Sequence, residues 1–279
     1  MRSVALTCLT CTAIAVYVLA ACDGARPAEV ARLLAVWPVD LGDVVKVFAL
    51  VLVLFLGPLF EVAVVDGGWR HWSPRAVKQL LWDDWIGYRN IVIAPASEEL
   101  VFRSCTIAVY LVARVDPVRI VFVTPLVFGF AHVHHLLEFL QSRTAPGKKL
   151  PPLQAWVVGL VRTAFQFTYT ALFGFFAAFV YLRTGNMWAT LAAHSFCNWM
   201  GLPRVWGLVG EDESQDAHVT PDVAQGRQPR ARGGGGAARM GDRRVLLSVI
   251  YYALLLVGAW AFYKLLWPLT RSGNALAAF

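Results

Sequence analysis

The stretch PASEELVFRS, Pro95 to Ser104, sets Glu98, Glu99 and Arg103 inside an otherwise uncharged apolar run. An ionisable side chain at membrane depth costs roughly 2.5–3.5 kcal/mol on insertion scales, so each one is a candidate functional group. Glu99 and Arg103 stand at i,i+4 and can pair on one helix face, while Glu98 is turned to another. Two adjacent carboxylates held in different surroundings can do different jobs. Pro95 fits a helix start or a kink just before the acids. Two further runs carry complementary groups. In LVFGFAHVHHLLEF, Phe128 and His132 are one turn apart, as are His134 and Glu138; in AAHSFCNWM, His194 and Asn198 share a face.

A carboxylate and an imidazole can together deprotonate a water, after which the imidazolium protonates a leaving amine. A second histidine and an asparagine amide can donate to the oxyanion of a tetrahedral intermediate. Glu98, His132, His194 and Asn198 are therefore the candidate catalytic set, and peptide hydrolysis by an activated water is the chemistry they fit. The chain has no GxSxG elbow and no cysteine paired with a base at recognisable spacing. A zinc site is the competing reading, with His132, His194 and a glutamate as ligands. HExxH is missing and asparagine is a poor zinc ligand, so no metal is expected and zinc stands as the alternative.

These residues need membrane helices to hold them. Of 279 residues, 58% are hydrophobic and 15% charged, with mean hydropathy +0.56. That composition implies an all-α, polytopic transmembrane bundle rather than a soluble domain. Uncharged runs of spanning length occur at Ser3–Cys22, Thr163–Leu182 and Val245–Tyr263. Runs interrupted by polar residues add 47–65, 91–113, 118–137 and 187–202, which makes seven spans in the present reading. The first run, ending in LAAC, has the form of a signal peptide, but the spans that follow favour a retained helix. Cys8 and Cys11 form a CxxC within it, without partners at zinc spacing, and read as small packing residues.

The expected organisation is an N-terminal membrane helix and loop (1–44), a catalytic membrane core (45–210), a disordered polar and glycine-rich loop (211–244), and a C-terminal membrane helix and tail (245–279). Lysine and arginine concentrate in the N-terminus and the 66–90, 138–154 and 203–244 loops, which assigns these to the cytosol. The polar residues of all three runs lie towards those loops, so they are expected at similar depth around a cytosol-facing intramembrane cavity. The net charge of +7 is spread among loops without aromatic interleaving. It therefore reads as a topology signal, with the lipid bilayer and not nucleic acid as partner.

EELVFR has the form EExxxR, FGFAH the form FxxxH and HSFCN the form HxxxN. In this order and spacing they resemble the ABI (CPBP) intramembrane proteases. RNIVIAPASEELVFRS, VFGFAHVHHLLE, AFQFTYTALFGFFAAFVYLRTGNMWA and HSFCNWMG are similar, more narrowly, to CAAX prenyl endopeptidases of the Ras-converting-enzyme type. The resemblance covers about residues 55–203 and implies the following roles. Glu98 and His132 would activate the water, and His194 with Asn198 would form the oxyanion hole. Glu99 and Arg103 would hold the helix in shape, with Phe128 lining the site. The implied activity is removal of the aaX tripeptide from prenylated CaaX proteins, such as small GTPases, at the endoplasmic-reticulum membrane, with the active site facing the cytosol. The family usually has eight transmembrane helices against the seven counted, and the 211–244 loop is longer than the family leads one to expect. Two rival readings remain at this level: a bacterial-type family member in bacteriocin processing or immunity, and a non-catalytic membrane scaffold.

Overall fold

The computed structural model describes residues 2–22, 24–79, 82, 84–144, 147–148, 150–210 and 238–279, and among them every regular element is helical. Among the described residues four helices are long and apolar enough to cross a membrane: Ser3–Ala21, Pro117–Ser142, Leu153–Thr184 and Asp242–Leu269. A fifth candidate is the pair Leu41–Leu54 and Leu56–Val65, bent by 77°. The seven spans read from the sequence are thus not all single crossing helices. The 91–113 run is helical but carries Glu98, Glu99 and Arg103, and Met187–Met200 has only 14 residues. Large apolar side chains such as Leu9 and Leu256 are 69% and 71% exposed on these helices, as expected of surfaces solvated by lipid. The chain is a multi-pass helical membrane protein.

The residues group into two compact units, 1–39 with 97–187 and 272–279, and 40–96 with 188–271. In the first unit, α1 (Arg2–Tyr17) and α2 (Pro27–Leu33) precede the second half of a long helical run that ends in α8 (Thr106–Val112). Helix α9 (Pro117–Ala131) follows, then α10 (His134–Ser142) and α11 (Leu153–Thr184). Ile107, Ile120, Ala178, Tyr181 and Leu182 form its core. Tyr181 Oη donates to Leu33 O at 2.9 Å, tying α11 to the end of α2. Helices α9 and α11 approach at Gly174, where a Cβ would stand 2.5 Å from that of Pro125; small residues are what permit such close helix contacts in membranes.

In the second unit, α3 (Leu41–Leu54) breaks at Phe55 before α4 (Leu56–Phe60), and the C-terminal helix α13 (Ala238–Leu269) packs on both. Gly258 makes this possible, since a Cβ there would lie 2.5 Å from Val53 O. Helix α12 (Met187–Met200) is fixed by Phe196, whose ring meets the edges of Phe48 and Phe55 at 5.3 and 5.5 Å. Helix α13 begins at Ala238, ahead of the apolar run that starts at Val245. Residues 211–237 lie outside the described residues.

The helical run 85–112 supplies the acids. It comprises α6 (Trp85–Tyr88), a wide π turn (Arg89–Ile93), α7 (Ala94–Glu98), a second wide stretch (Glu99–Cys105) and α8. The helix therefore continues through Pro95 and does not start there. Proline crowds the carbonyl four residues back, here Ile91, and that residue sits in the widened turn, where bonding has shifted to i→i+5.

Candidate active site

The first unit holds Glu98, Glu99, Arg103, Phe128 and His132 together; His194 and Asn198 lie in the second. Glu99 and Arg103 are buried, at 0% and 2% exposure, with Oε1 and Nη1 3.2 Å apart. The approach is a charge contact and not an aligned hydrogen bond, because Arg103 Nη1 and Nη2 have no hydrogen-bond acceptor in good geometry. Aromatic faces cover the guanidinium instead: its centre lies 4.3 Å from the Phe128 ring and 5.5 Å from that of Phe173. A desolvated cation over aromatic faces gains about 2 kcal/mol, which offsets part of the burial cost. The pairing inferred from the i,i+4 spacing is present. Phe173 has no sequence spacing that would reveal its part.

Phe128 carries this arrangement to His132. Its ring packs edge-on against the imidazole with centroids 4.8 Å apart, and Phe102 braces its other side at 5.1 Å. The backbone then fixes the imidazole. His132 N–H bonds Gly129 O, three residues back, at 3.1 Å. The Phe128 carbonyl, the usual i−4 acceptor, instead lies 2.9 Å from His132 Nδ1. A carbonyl only accepts, so Nδ1 carries the proton and Nε2 carries the lone pair. His132 thus presents a basic nitrogen on a ring held at two points. Glu98, half-buried, lies within electrostatic range of it.

In the second unit, His194 is 5% exposed on α12. Asn198, one turn on, donates from Nδ2 to Asn90 O at 3.0 Å. Pro95 explains this bond. Within the wide turn Ala94 N–H bonds Arg89 O, five residues back. The next donor in that register, for Asn90 O, would be the N–H that proline lacks. Asn198 supplies it. The five-residue spacing of Asn90 and Pro95 is visible in the sequence but has meaning only once the turn is known to be wide. Elsewhere in this unit, Glu61 Oε1 meets Arg204 Nε at 3.1 Å.

His134 and Glu138, one turn apart, do not pair with each other in the way that spacing invited. Glu138 Oε2 meets His135 Nδ1 at 3.0 Å, and His134 Nδ1 lies 2.7 Å from Ala131 O.

Residues 80–200 match the family model described as Type II CAAX prenyl endopeptidase Rce1-like. "Probable CAAX prenyl protease 2" of Schizosaccharomyces pombe is 32% identical over 221 residues, covering 79% of this chain and 65% of the relative. Residues 80–200 are thus similar to the Rce1-like family. Human "CAAX prenyl protease 2" is 39% identical over 163 residues, covering 56% of this chain and 46% of the relative. The Arabidopsis thaliana protein of that name is 40% identical over 116 residues, 42% of this chain and 34% of the relative. The chain thus spans about two thirds or less of the length of these curated relatives. No solved structure matches it. All seven candidate residues, Glu98 to Asn198, fall inside the Rce1-like segment.

Proposed function

We propose that this Rce1-like chain is an intramembrane endopeptidase that removes the aaX tripeptide from prenylated CaaX proteins. The carrying observation is His132, whose Nδ1 is tied to the Phe128 carbonyl so that Nε2 is the base, with Glu98 in electrostatic range. In the proposed reaction a water attacks the carbonyl carbon of the scissile amide while Glu98 and His132 take its proton. His194 and one N–H of the Asn198 amide donate to the resulting oxyanion. An amide carries two such donors, and Asn90 O takes one. The C–N bond then breaks, the imidazolium protonates the departing amine, and the prenyl-cysteine keeps the new carboxylate. Glu99, Arg103 and Phe128 position His132 and take no proton.

Farnesylated or geranylgeranylated proteins, including small GTPases, are anchored by their lipid in the cytosolic leaflet. The lysine and arginine distribution supports an active site facing that leaflet, and the names of the relatives support the CaaX substrate class. The proposed location is the endoplasmic-reticulum membrane. No metal takes part in this scheme, so aaX release is expected to survive exhaustive chelation.

The test is purified protein incubated with a farnesylated CaaX peptide and with the same peptide unprenylated, the products being resolved by mass spectrometry. Release of aaX from the prenylated peptide alone is expected. Folded protein that releases none would overturn the proposal.

A further inference from the structure

We propose a divalent-cation site formed by His134, His135 and Glu138, of the borderline nitrogen/oxygen type that suits zinc. These residues stand outside the proposed catalytic set, and the site holds whatever reaction the chain catalyses. One ligand atom from each lies within 4.8 Å of the other two. In tetrahedral coordination with bonds of about 2.0–2.2 Å, ligand atoms stand roughly 3.3 Å apart. Glu138 Oε2 and His135 Nδ1 are already 3.0 Å apart, so an ion would take the place of the proton they share. The third ligand has to close by only an ångström or so through side-chain rotation.

His134 is prepared for the role by its backbone. His135 N–H bonds His132 O, three residues back, at 3.1 Å, which turns it away from the Ala131 carbonyl. That carbonyl is the 2.7 Å partner of His134 Nδ1. Nδ1 therefore carries the proton and Nε2 keeps a lone pair, the tautomer and ring orientation that second-shell carbonyls impose on metal-bound histidines. The two imidazoles lie with centroids 4.0 Å apart. All three residues are exposed, with His135 and Glu138 side chains at 45% and 65%, and they stand at the end of the Pro117–Ser142 span beside the 138–154 loop that the lysine and arginine distribution assigns to the cytosol, so an ion and water can reach them from that side. Two histidines and one carboxylate match the donor preference of Zn²⁺ or Co²⁺, not that of Mg²⁺ or Ca²⁺.

The test uses the full chain purified in detergent and titrated with Zn²⁺ against a chromophoric chelator. Co²⁺ is the spectroscopic probe in a parallel titration. One equivalent should bind with micromolar or tighter affinity. His134→Ala, His135→Ala and Glu138→Ala should each weaken that equivalent at least tenfold, and His71→Ala should leave it unchanged. Bound Co²⁺ should show visible bands of a low-coordinate nitrogen/oxygen site that disappear in His134→Ala. Absence of binding in the wild-type protein, or binding equal in all four variants, would overturn the site. The readout is metal bound and not peptide released, so this outcome is independent of the proposed protease activity.

Discussion

Replacing Asn198 by alanine should destabilise the protein, and replacing Pro95 by alanine in that background should restore it. Asn198 Nδ2 bonds Asn90 O at 3.0 Å, the oxygen whose next backbone donor in the wide turn would be the missing N–H of Pro95. Removing the side chain leaves a half-buried carbonyl without that bond, a loss of about 1–3 kcal/mol. For a chain of this size 1 kcal/mol corresponds to roughly 2–4 °C in Tm, so Asn198→Ala should melt several degrees lower in detergent. Alanine at position 95 returns a backbone N–H to the helix, and either helical register then gives Asn90 O a donor. The double variant should therefore regain most of the lost Tm. Turnover should not return, because the proposed oxyanion donor is still absent, and a donor of that kind contributes about 10²–10³ in kcat. Thermal unfolding and aaX release measured on the same preparations separate the two roles. A double variant no more stable than Asn198→Ala would refute the explanation of the bond, and recovery of turnover would refute the oxyanion assignment.

Arg103→Met should cost about 3–5 kcal/mol, because it strands the buried Glu99 carboxylate, whereas Glu99→Met/Arg103→Met should recover at least half of that; thermal unfolding of both variants checks it. Gly174→Val would drive a side chain into Pro125, where even a Cβ stands at 2.5 Å, and should lower stability by about 1–3 kcal/mol by the same measurement. Tyr251→Phe removes the 3.0 Å bond from its hydroxyl to Arg204 O; a loss of about 1 kcal/mol is expected, with aaX release unchanged.

The polar residues of the candidate site were conspicuous in the sequence because charge stands out in an apolar run and i,i+4 spacing survives in any helix. Glu99 with Arg103 illustrates this, since even a widened helix keeps them on one face. What escaped were consequences of hydrogen-bond register. Nothing in the spacing of Phe128 and His132 says that the backbone tightens there and hands a carbonyl to Nδ1. The link from Pro95 through Asn90 to Asn198 likewise depends on a turn wider than an α-helix. Hydropathy also registers apolar runs without seeing that 41–65 bends by 77° or that α12 is short. Phe173 escaped for a different reason. A guanidinium buried among apolar residues needs aromatic cover, but any of the many phenylalanines in the chain would have read equally well.

In the proposed reaction Glu98 and His132 activate the attacking water. The direct measurement is the rate of aaX release from a farnesylated CaaX peptide by wild type, Glu98→Gln and His132→Ala, each first shown to melt cooperatively near the wild-type temperature. Both substitutions should lower the rate by at least about 10²-fold, the contribution typical of a general base. A Glu98→Gln protein that is folded and releases aaX at the wild-type rate would contradict it.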